Sequence, residues 1–436
     1  MKRITSMGSA DGMSAIELEN RNLIIASSSF PRRSSSFEEA SSLNHDKGKL
    51  SVVRSKVFSS IKVVVLSAKI NVLMPFGPLA ILLDKLFHNH AIGLFYGTYR
   101  SIHCNLRRVS ASFDIFLRIL IFKIGSLLNA TFGNATELII SIHALKSGLI
   151  RVVQQSLLGS ILSNLLLVLG SAFFAGGLVF YDREQIFNKA DATVDFGLLL
   201  MAVMGLLFPS VLHSTNTEAI NWKSELALSR FTSCIMLVAY ASYIAFQLNG
   251  RKNAQAPVDD EERGLSEVDS ADAEAPEISM WESIIWLSIL TVWISILSEY
   301  LVNTIEGASE DLKIPIPFIS VILLPIVGNA TEHVGTIIFA VKDKLDISLG
   351  VAIGSSIQIS LFVIPFCVVT GWIVGRPMDL NFQLFETTSL FIAVVIVAFM
   401  LHNGTSNYLK GLMLILCYLI VAASYFVHVD PPSIQT

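Results

Sequence analysis

The pentapeptide Gly133-Asn134-Ala135-Thr136-Glu137 returns unchanged as Gly328-Asn329-Ala330-Thr331-Glu332, 195 positions further on. The same shift lays Gly159-Ser160 on Gly354-Ser355 and Gly176 on Gly371 without a gap. A chain with such a repeat folds as two related units, so the repeat is read before any single element. Each copy sets one carboxylate inside a long apolar stretch. The runs 155–181 and 347–375 carry no charged residue, and each exceeds the ~20 residues that span a bilayer as a helix. Charged residues make up 15% of the chain, against ~25% in an average soluble domain. Strands of a membrane barrel would alternate in polarity over ~10 residues, which these runs do not do. The fold class is therefore an all-α polytopic membrane protein with the bilayer as its solvent.

Taken in order, residues 1–56 are Ser-rich, without a helical or strand period, and read as a disordered tail. Their basic residues, Arg32 and Arg33 among them, place the tail in the cytosol; no cleaved signal peptide is expected. Spans are expected at 61–83, 126–146, 152–180, 194–214 and 226–248, then at 283–304, 314–341, 346–374, 384–402 and 409–428. The chain thus divides into the tail, a first membrane half over 57–250, an acidic cytosolic linker over 251–280 and a second half over 281–430. From the helix bearing Glu137 to the helix bearing Glu332 is five steps. An odd count sends the two copies through the membrane in opposite directions, the inverted repeat of secondary transporters.

On a helix Asn134, Glu137 and Ser141 share one face, as do Asn329, Glu332 and Thr336. An ionised carboxylate in hydrocarbon costs several kcal/mol, so each face should turn inward to a partner or a wet cavity. Gly133 and Gly328 let another helix or an ion approach the backbone. The next helix of each half adds Ser160 and Asn164, or Gly354, Ser355, Ser356 and Gln358. Carboxylate, amide, hydroxyl and carbonyl oxygens form a hard donor set that suits a divalent cation such as Ca²⁺. With the cation absent, a low-dielectric site holding two carboxyls favours their protonated form. Exchange of cation for proton then follows from electrostatics, with Glu137 and Glu332 as proton carriers and His333 as a further proton acceptor. His143, His213 and His402 have no matched partner and are read as packing or interfacial. Cys104, Cys234, Cys367 and Cys417 are isolated, which suggests neither a disulfide framework nor zinc. No nucleophile and base pair or phosphate loop appears, so no enzyme, no resident cofactor and no nucleic-acid partner is expected.

The stretches Asn129-Ala-Thr-Phe-Gly-Asn-Ala-Thr-Glu137, Ser156-Leu-Leu-Gly-Ser-Ile-Leu-Ser-Asn164, Gly328-Asn-Ala-Thr-Glu-His333 and Gly354-Ser-Ser-Ile-Gln358 resemble the signature repeats of the plant vacuolar cation/proton exchangers of the calcium/cation antiporter superfamily. The resemblance covers about 60–90 and 126–430. It implies a leading helix plus two five-helix repeats, and movement of cytosolic Ca²⁺, sometimes Mn²⁺ or other metals, into the vacuole against protons. It also implies that Glu137 and Glu332 bind the ion, supported by Asn134, Asn329, Ser160, Ser355 and Gln358, and that the tail regulates transport. Assembly with itself or with related exchangers stays open.

One segment departs from that family. Residues 91–125 carry Arg100, His103, Arg107, Arg108, Arg118 and Lys123 against the single acid Asp114, where a second apolar span is expected, leaving 10 to 11 spans in all. Two readings compete: a chain translated from an altered transcript, which the abrupt junctions favour, and a divergent exchanger with a tilted or re-entrant helix there. The first raises a transport-inactive homologue as an alternative function. A passive cation channel is a third, separated by its lack of proton coupling.

Overall fold

The computed structural model describes residues 134–215, 222–254 and 280–429. The tail, the span at 61–83, the basic segment 91–125 and the acidic stretch 257–277 lie outside them. The described residues form ten helices: α1 (Ala135–Lys146), α2 (Ile150–Val179), α3 (Lys189–Ser214), α4 (Trp222–Ala254), α5 (Met280–Leu312), α6 (316–328), α7 (Ala330–Val341), α8 (Leu345–Val374), α9 (Leu384–Leu401) and α10 (Tyr408–Val427). A short antiparallel ribbon, β1 (Gln185–Ile186) with β2 (Thr405–Ser406), is the one addition among the described residues to the all-helical expectation. Among the described residues six helices, α2, α3, α4, α8, α9 and α10, are long and apolar enough to cross a membrane.

The 195-residue shift recurs in the architecture. The first residues of α1, α2 and α3 are 135, 150 and 189, and those of α7, α8 and α9 are 330, 345 and 384. Both long central helices also widen at the same place, into π turns at Ser163–Val168 in α2 and Ile359–Val363 in α8. A π turn skips one residue of the ladder and redirects the side chains around it, here beside Asn164 and Gln358.

Helix ends define two membrane faces. Face I carries the loops 147–149 and 375–383; face II carries 180–188, 342–344 and 402–407. On face I the head of α2 meets the head of α9 through Arg151 and the fully buried Glu386 at 2.6 Å. Gln155 donates to the same carboxylate at 3.2 Å, and Glu386 also closes a capping box with Gln383. On face II the residue matching Arg151 is Asp346, which accepts the backbone N–H of Asn188 at 2.7 Å, at the cap of α3. Arg183 pairs with Asp343 there at 2.6 Å. Gly148 lies against Arg376, so α1 ends on face I, whereas α7 ends beside Asp343 on face II. The two repeats run in opposite directions.

Burial sorts the helices: 83% of the membrane window of α2 is buried but only 22% of that of α10. The core is therefore built on α2, with α10 presenting Leu409, Leu416, Leu419 and Ile420 outward, as a lipid-facing helix does. α2 and α10 still touch backbone to backbone. A Cβ on Gly177 would collide with the backbone of Tyr408, and one on Gly411 with that of Phe174. Small residues permit this approach where lipid offers no hydrophobic drive between helices. His143 ties α1 to Ser295 of α5 at 2.7 Å, the packing role read from the sequence. Cys234, Cys367 and Cys417 carry no disulfide.

Asp379, in the face I loop, gives a pH prediction. Burial, and next the nearby Glu225 charge, raise its carboxyl above the usual carboxylate range. A folded-state pKa above the unfolded one means that the folded chain holds the proton more tightly. Its contribution to stability is then full at low pH and is lost as pH rises through the folded pKa. Asp379→Asn keeps the oxygen that accepts from Gln154 Nε2 at 3.0 Å. The variant is expected to melt at a higher temperature than wild type at neutral pH, with a flatter profile in thermal unfolding as pH rises from about 4, the unfolded carboxylate value.

Candidate ion-binding site

α1 and α7 are each 12 residues long, about 18 Å at 1.5 Å per residue. That is short of the ~30 Å hydrocarbon thickness. With their C-termini on opposite faces, both N-termini lie near the bilayer midplane. The crossing expected over 314–341 is present but is not one regular helix: the chain runs as α6, kinks at Asn329 and continues as α7. Asn329 adopts φ −97, ψ 11 and Asn134 φ −87, ψ 9, outside the helical well at matched positions. Gly328 and Asn329 are weak helix formers, and an Asn side chain competes for backbone groups. Hydropathy does not register the break because the apolar runs 314–327 and 334–341 on either side of it dominate the average. The second copy of the pentapeptide thus lies at the break, and in the first copy Asn134 precedes the first residue of α1; Glu137 and Glu332 fall in first turns, at the positive end of each dipole.

The halves interlock at these starts. Asn134, capping α1, donates from Nδ2 to Gln358 Oε1 at 2.6 Å, and Gln358 lies on α8 of the other half. Asn329, capping α7, donates to Asn164 Oδ1 of α2 at 3.3 Å. Each repeat is held by the π-turn helix of its partner. A Cβ built on Gly328 would stand 3.8 Å from Glu137 Oε1, so the glycine of the second copy borders the carboxylate of the first. Glu332 is close enough to Glu137 for their charges to interact, and Ser355 hydrogen-bonds it. Both residues are half-buried, yet Oε2 of each is inaccessible and has no hydrogen-bond partner within the protein. An unsatisfied buried polar atom costs about 1–3 kcal/mol. A cation or a proton removes that cost.

Other sequence-assigned residues divide in two. Ser160 is buried one turn before Asn164, at the position matching Ser355. Beside it a Cβ on Gly159 would strike the carbonyl of Val321 in the π turn of α6. Thr336, in contrast, spends its hydroxyl on the Glu332 carbonyl at 2.6 Å, and Ser356 on that of Ala352 at 2.9 Å. Ser141 Oγ is buried beside the Cys367 thiol. These serve packing. His333 sets Nε2 3.3 Å from Ser163 Oγ, at the π turn of α2. Gly133 lies outside the described residues, and Gly354 flanks Ser355 on α8. Among the described residues no three His, Cys, Asp or Glu side chains gather as a metal cluster, so a cation here relies on two carboxylates and neutral oxygens.

Sequence reasoning missed Tyr240. Its hydroxyl accepts from Gln358 Nε2 at 2.8 Å, fixing the amide that Asn134 uses. The available signal was the polar spacing Tyr240, Tyr243, Gln247 inside an apolar span, which is i, i+3, i+7 on one helix face. Asn134→Ala and Gln358→Ala are expected to be non-additive in stability, with a coupling of about 1 kcal/mol in a double-mutant cycle.

Residues 105–249 and 282–427 match the family described as sodium/calcium exchanger protein. This chain belongs to that family. The match opens inside the basic segment and takes in 105–125. Vacuolar cation/proton exchanger 2 of Oryza sativa subsp. japonica is 63% identical over 378 residues, 87% of this chain and 86% of the relative. Vacuolar cation/proton exchanger 5 of Arabidopsis thaliana is 60% identical over 418 residues, 95% of this chain and 94% of the relative. The solved Ca²⁺/H⁺ antiporter protein YfkE is similar in fold, with a TM-score of 0.67 at 33% identity, covering 82% of this chain and 99% of that one. The family is one of exchangers, which are transporters rather than catalysts.

Proposed function

We propose that this chain is a secondary antiporter that moves a divalent cation, Ca²⁺ first and Mn²⁺ as a further substrate, from the cytosol into the vacuole in exchange for protons. The observation that carries the reading is the meeting of Glu137 and Glu332 at two oppositely directed half-helix starts, each with a buried oxygen lacking a partner. Similarity to proteins named as vacuolar cation/proton exchangers supports the proton coupling and the membrane. α4 ends and α5 begins on face II, the side of the acidic linker, so face II is the cytosolic side in this reading.

A dication entering from face II meets two carboxylates and displaces their protons. Ser355, Gln358, Asn134, Asn329 and Ser160 orient the carboxyls and supply neutral oxygens, and Gly328 admits the Glu137 carboxylate to the break in α6–α7. Open to an acidic lumen, the carboxyls take protons and the ion leaves. Charge is the switch: the doubly ionised pair holds the cation, and the protonated pair does not. His333, next to Glu332, adds a proton-binding group that reaches α2 through Ser163. The inverted halves give equivalent routes to either face, as alternating access requires. No observation favours the transport-inactive reading raised by residues 91–125.

The test is accumulation of ⁴⁵Ca²⁺ by acid-inside vesicles holding the purified chain. Uptake is expected to exceed the external concentration and to stop when nigericin collapses the pH gradient. Equilibration that ignores nigericin would identify a channel.

A further inference from the structure

Away from the ion site, α3 carries a second carboxylate inside its span. Asp195 is the seventh residue of α3, about 9 Å in from the helix start on face II. An ionisable side chain at such depth marks a function unless a partner neutralises it. Its partner is neutral: the Tyr243 hydroxyl of α4 donates to Asp195 Oδ1 at 3.1 Å. Gln247 Nε2 in turn donates to the Tyr243 hydroxyl. Tyr240 lies one turn inward on the same face of α4 and accepts from Gln358 Nε2 at 2.8 Å, and Gln358 Oε1 accepts from Asn134 at 2.6 Å. Polar groups therefore follow one another from the cap of α1 to Asp195: Asn134, Gln358, Tyr240, Tyr243, Asp195. Beyond Asp195, one turn nearer face II, stands the exposed Asp191, held by Asn188 at 2.8 Å.

We propose that Asp195 is a proton-transfer group, carrying protons between the glutamate pair and face II along this file; the proposal rests on the antiport reading. Each step is a proton hop. The O–H bond of a glutamic acid breaks and its proton passes to water or a hydroxyl of the file. Tyr243 gives its hydroxyl proton to the Asp195 carboxylate and takes another from water on the Tyr240 side. Asp195 then releases its proton to bulk water past Asp191 and is again a carboxylate. Water and hydroxyl groups pass protons in this way, while the amides of Asn134 and Gln358 hold the Tyr240 hydroxyl in place; none of them offers a second carboxylate to a dication, which separates the proton route from the cation route. Tyr243 faces Asp195 from α4, and Asp191 faces it from its own helix. At the same membrane end Asp346 of α8 holds the Asn188 backbone, and α9 ends at the exposed His402.

The experiment uses the full chain in proteoliposomes, comparing wild type, Asp195→Asn, Asp195→Glu and Tyr243→Phe. It reads Ca²⁺ binding by calorimetry, proton-driven ⁴⁵Ca²⁺ uptake, and the dependence of uptake on external pH. Asp195→Asn and Tyr243→Phe are expected to slow uptake at least tenfold with Kd within twofold of wild type. Asp195→Asn should also flatten the pH profile, and Asp195→Glu should restore rate and profile. Wild-type uptake and profile in Asp195→Asn would overturn the proposal, and so would loss of its Ca²⁺ binding, which assigns the residue a structural role. A wild-type chain without gradient-driven uptake overturns the antiport reading, and this proposal with it.

Discussion

Glu137→Gln and Glu332→Gln are each expected to weaken Ca²⁺ binding by at least ~100-fold in calorimetry and to abolish net exchange, with melting temperatures at or above wild type. The site offers a divalent ion only two formal negative charges, and the remaining donors are neutral. Removing one charge forfeits half of the Coulombic attraction in a low-dielectric environment, and each tenfold in affinity is only ~1.4 kcal/mol. Gln also places an N–H₂ where an oxygen is required, and that donor repels a cation. The same changes leave the folded chain intact, because a buried carboxyl without a partner for Oε2 loses a desolvation cost when it becomes a neutral amide. Weakened binding together with a lowered melting temperature would point to a structural carboxylate instead.

Gly177→Val and Gly411→Val are expected to have the next largest effect. Both glycines stand where α2 and α10 touch at backbone distance, and the atoms that a new side chain would meet are backbone atoms of Tyr408 and Phe174. Backbone cannot rotate away as a flexible side chain does, so the helices must separate. Overpacking of a tight core costs about 1–3 kcal/mol, and here it also opens the helix whose π turn holds Asn329. The variants should show lowered thermal stability and a loss of transport greater than their loss of folded protein. Gly197→Ala, at a glycine with open space around it, serves as the control and should change neither.

Much of this architecture was legible because hydropathy and the repeat report directly on it. The spans expected at 152–180, 346–374, 384–402 and 409–428 fall within a residue or two of α2, α8, α9 and α10. α3 starts five residues before the expected 194, at Lys189: its first turns are polar and sit at the membrane surface, where a window that scores apolarity does not look. The break at Asn329 escaped for the opposite reason, since long apolar runs flank the polar stretch 329–333 and the kink is a matter of backbone angles. Glu137 and Glu332 were visible as charges in apolar sequence, and Gln358 as an amide following a Gly-Ser pair. Which of them meet was not visible. The Asn134–Gln358 bond joins residues 224 positions apart, and Tyr240 enters the site only because α4 packs against α8. Thr336 shows the limit of reading a polar face: a hydroxyl on the right side of a helix is as readily satisfied by a neighbouring carbonyl as by an ion.

The most direct test of the account follows proton and cation in the same proteoliposomes. Vesicles holding the wild-type chain are loaded at acid pH with a fluorescent pH reporter, and ⁴⁵Ca²⁺ is added outside. Ca²⁺ entry and lumenal alkalinisation are expected to start together, stay in fixed proportion as Ca²⁺ is varied, and both vanish in Glu137→Gln. Calcium entry with no change in lumenal pH would contradict this, because the paired glutamates would then bind the ion without exchanging it for protons.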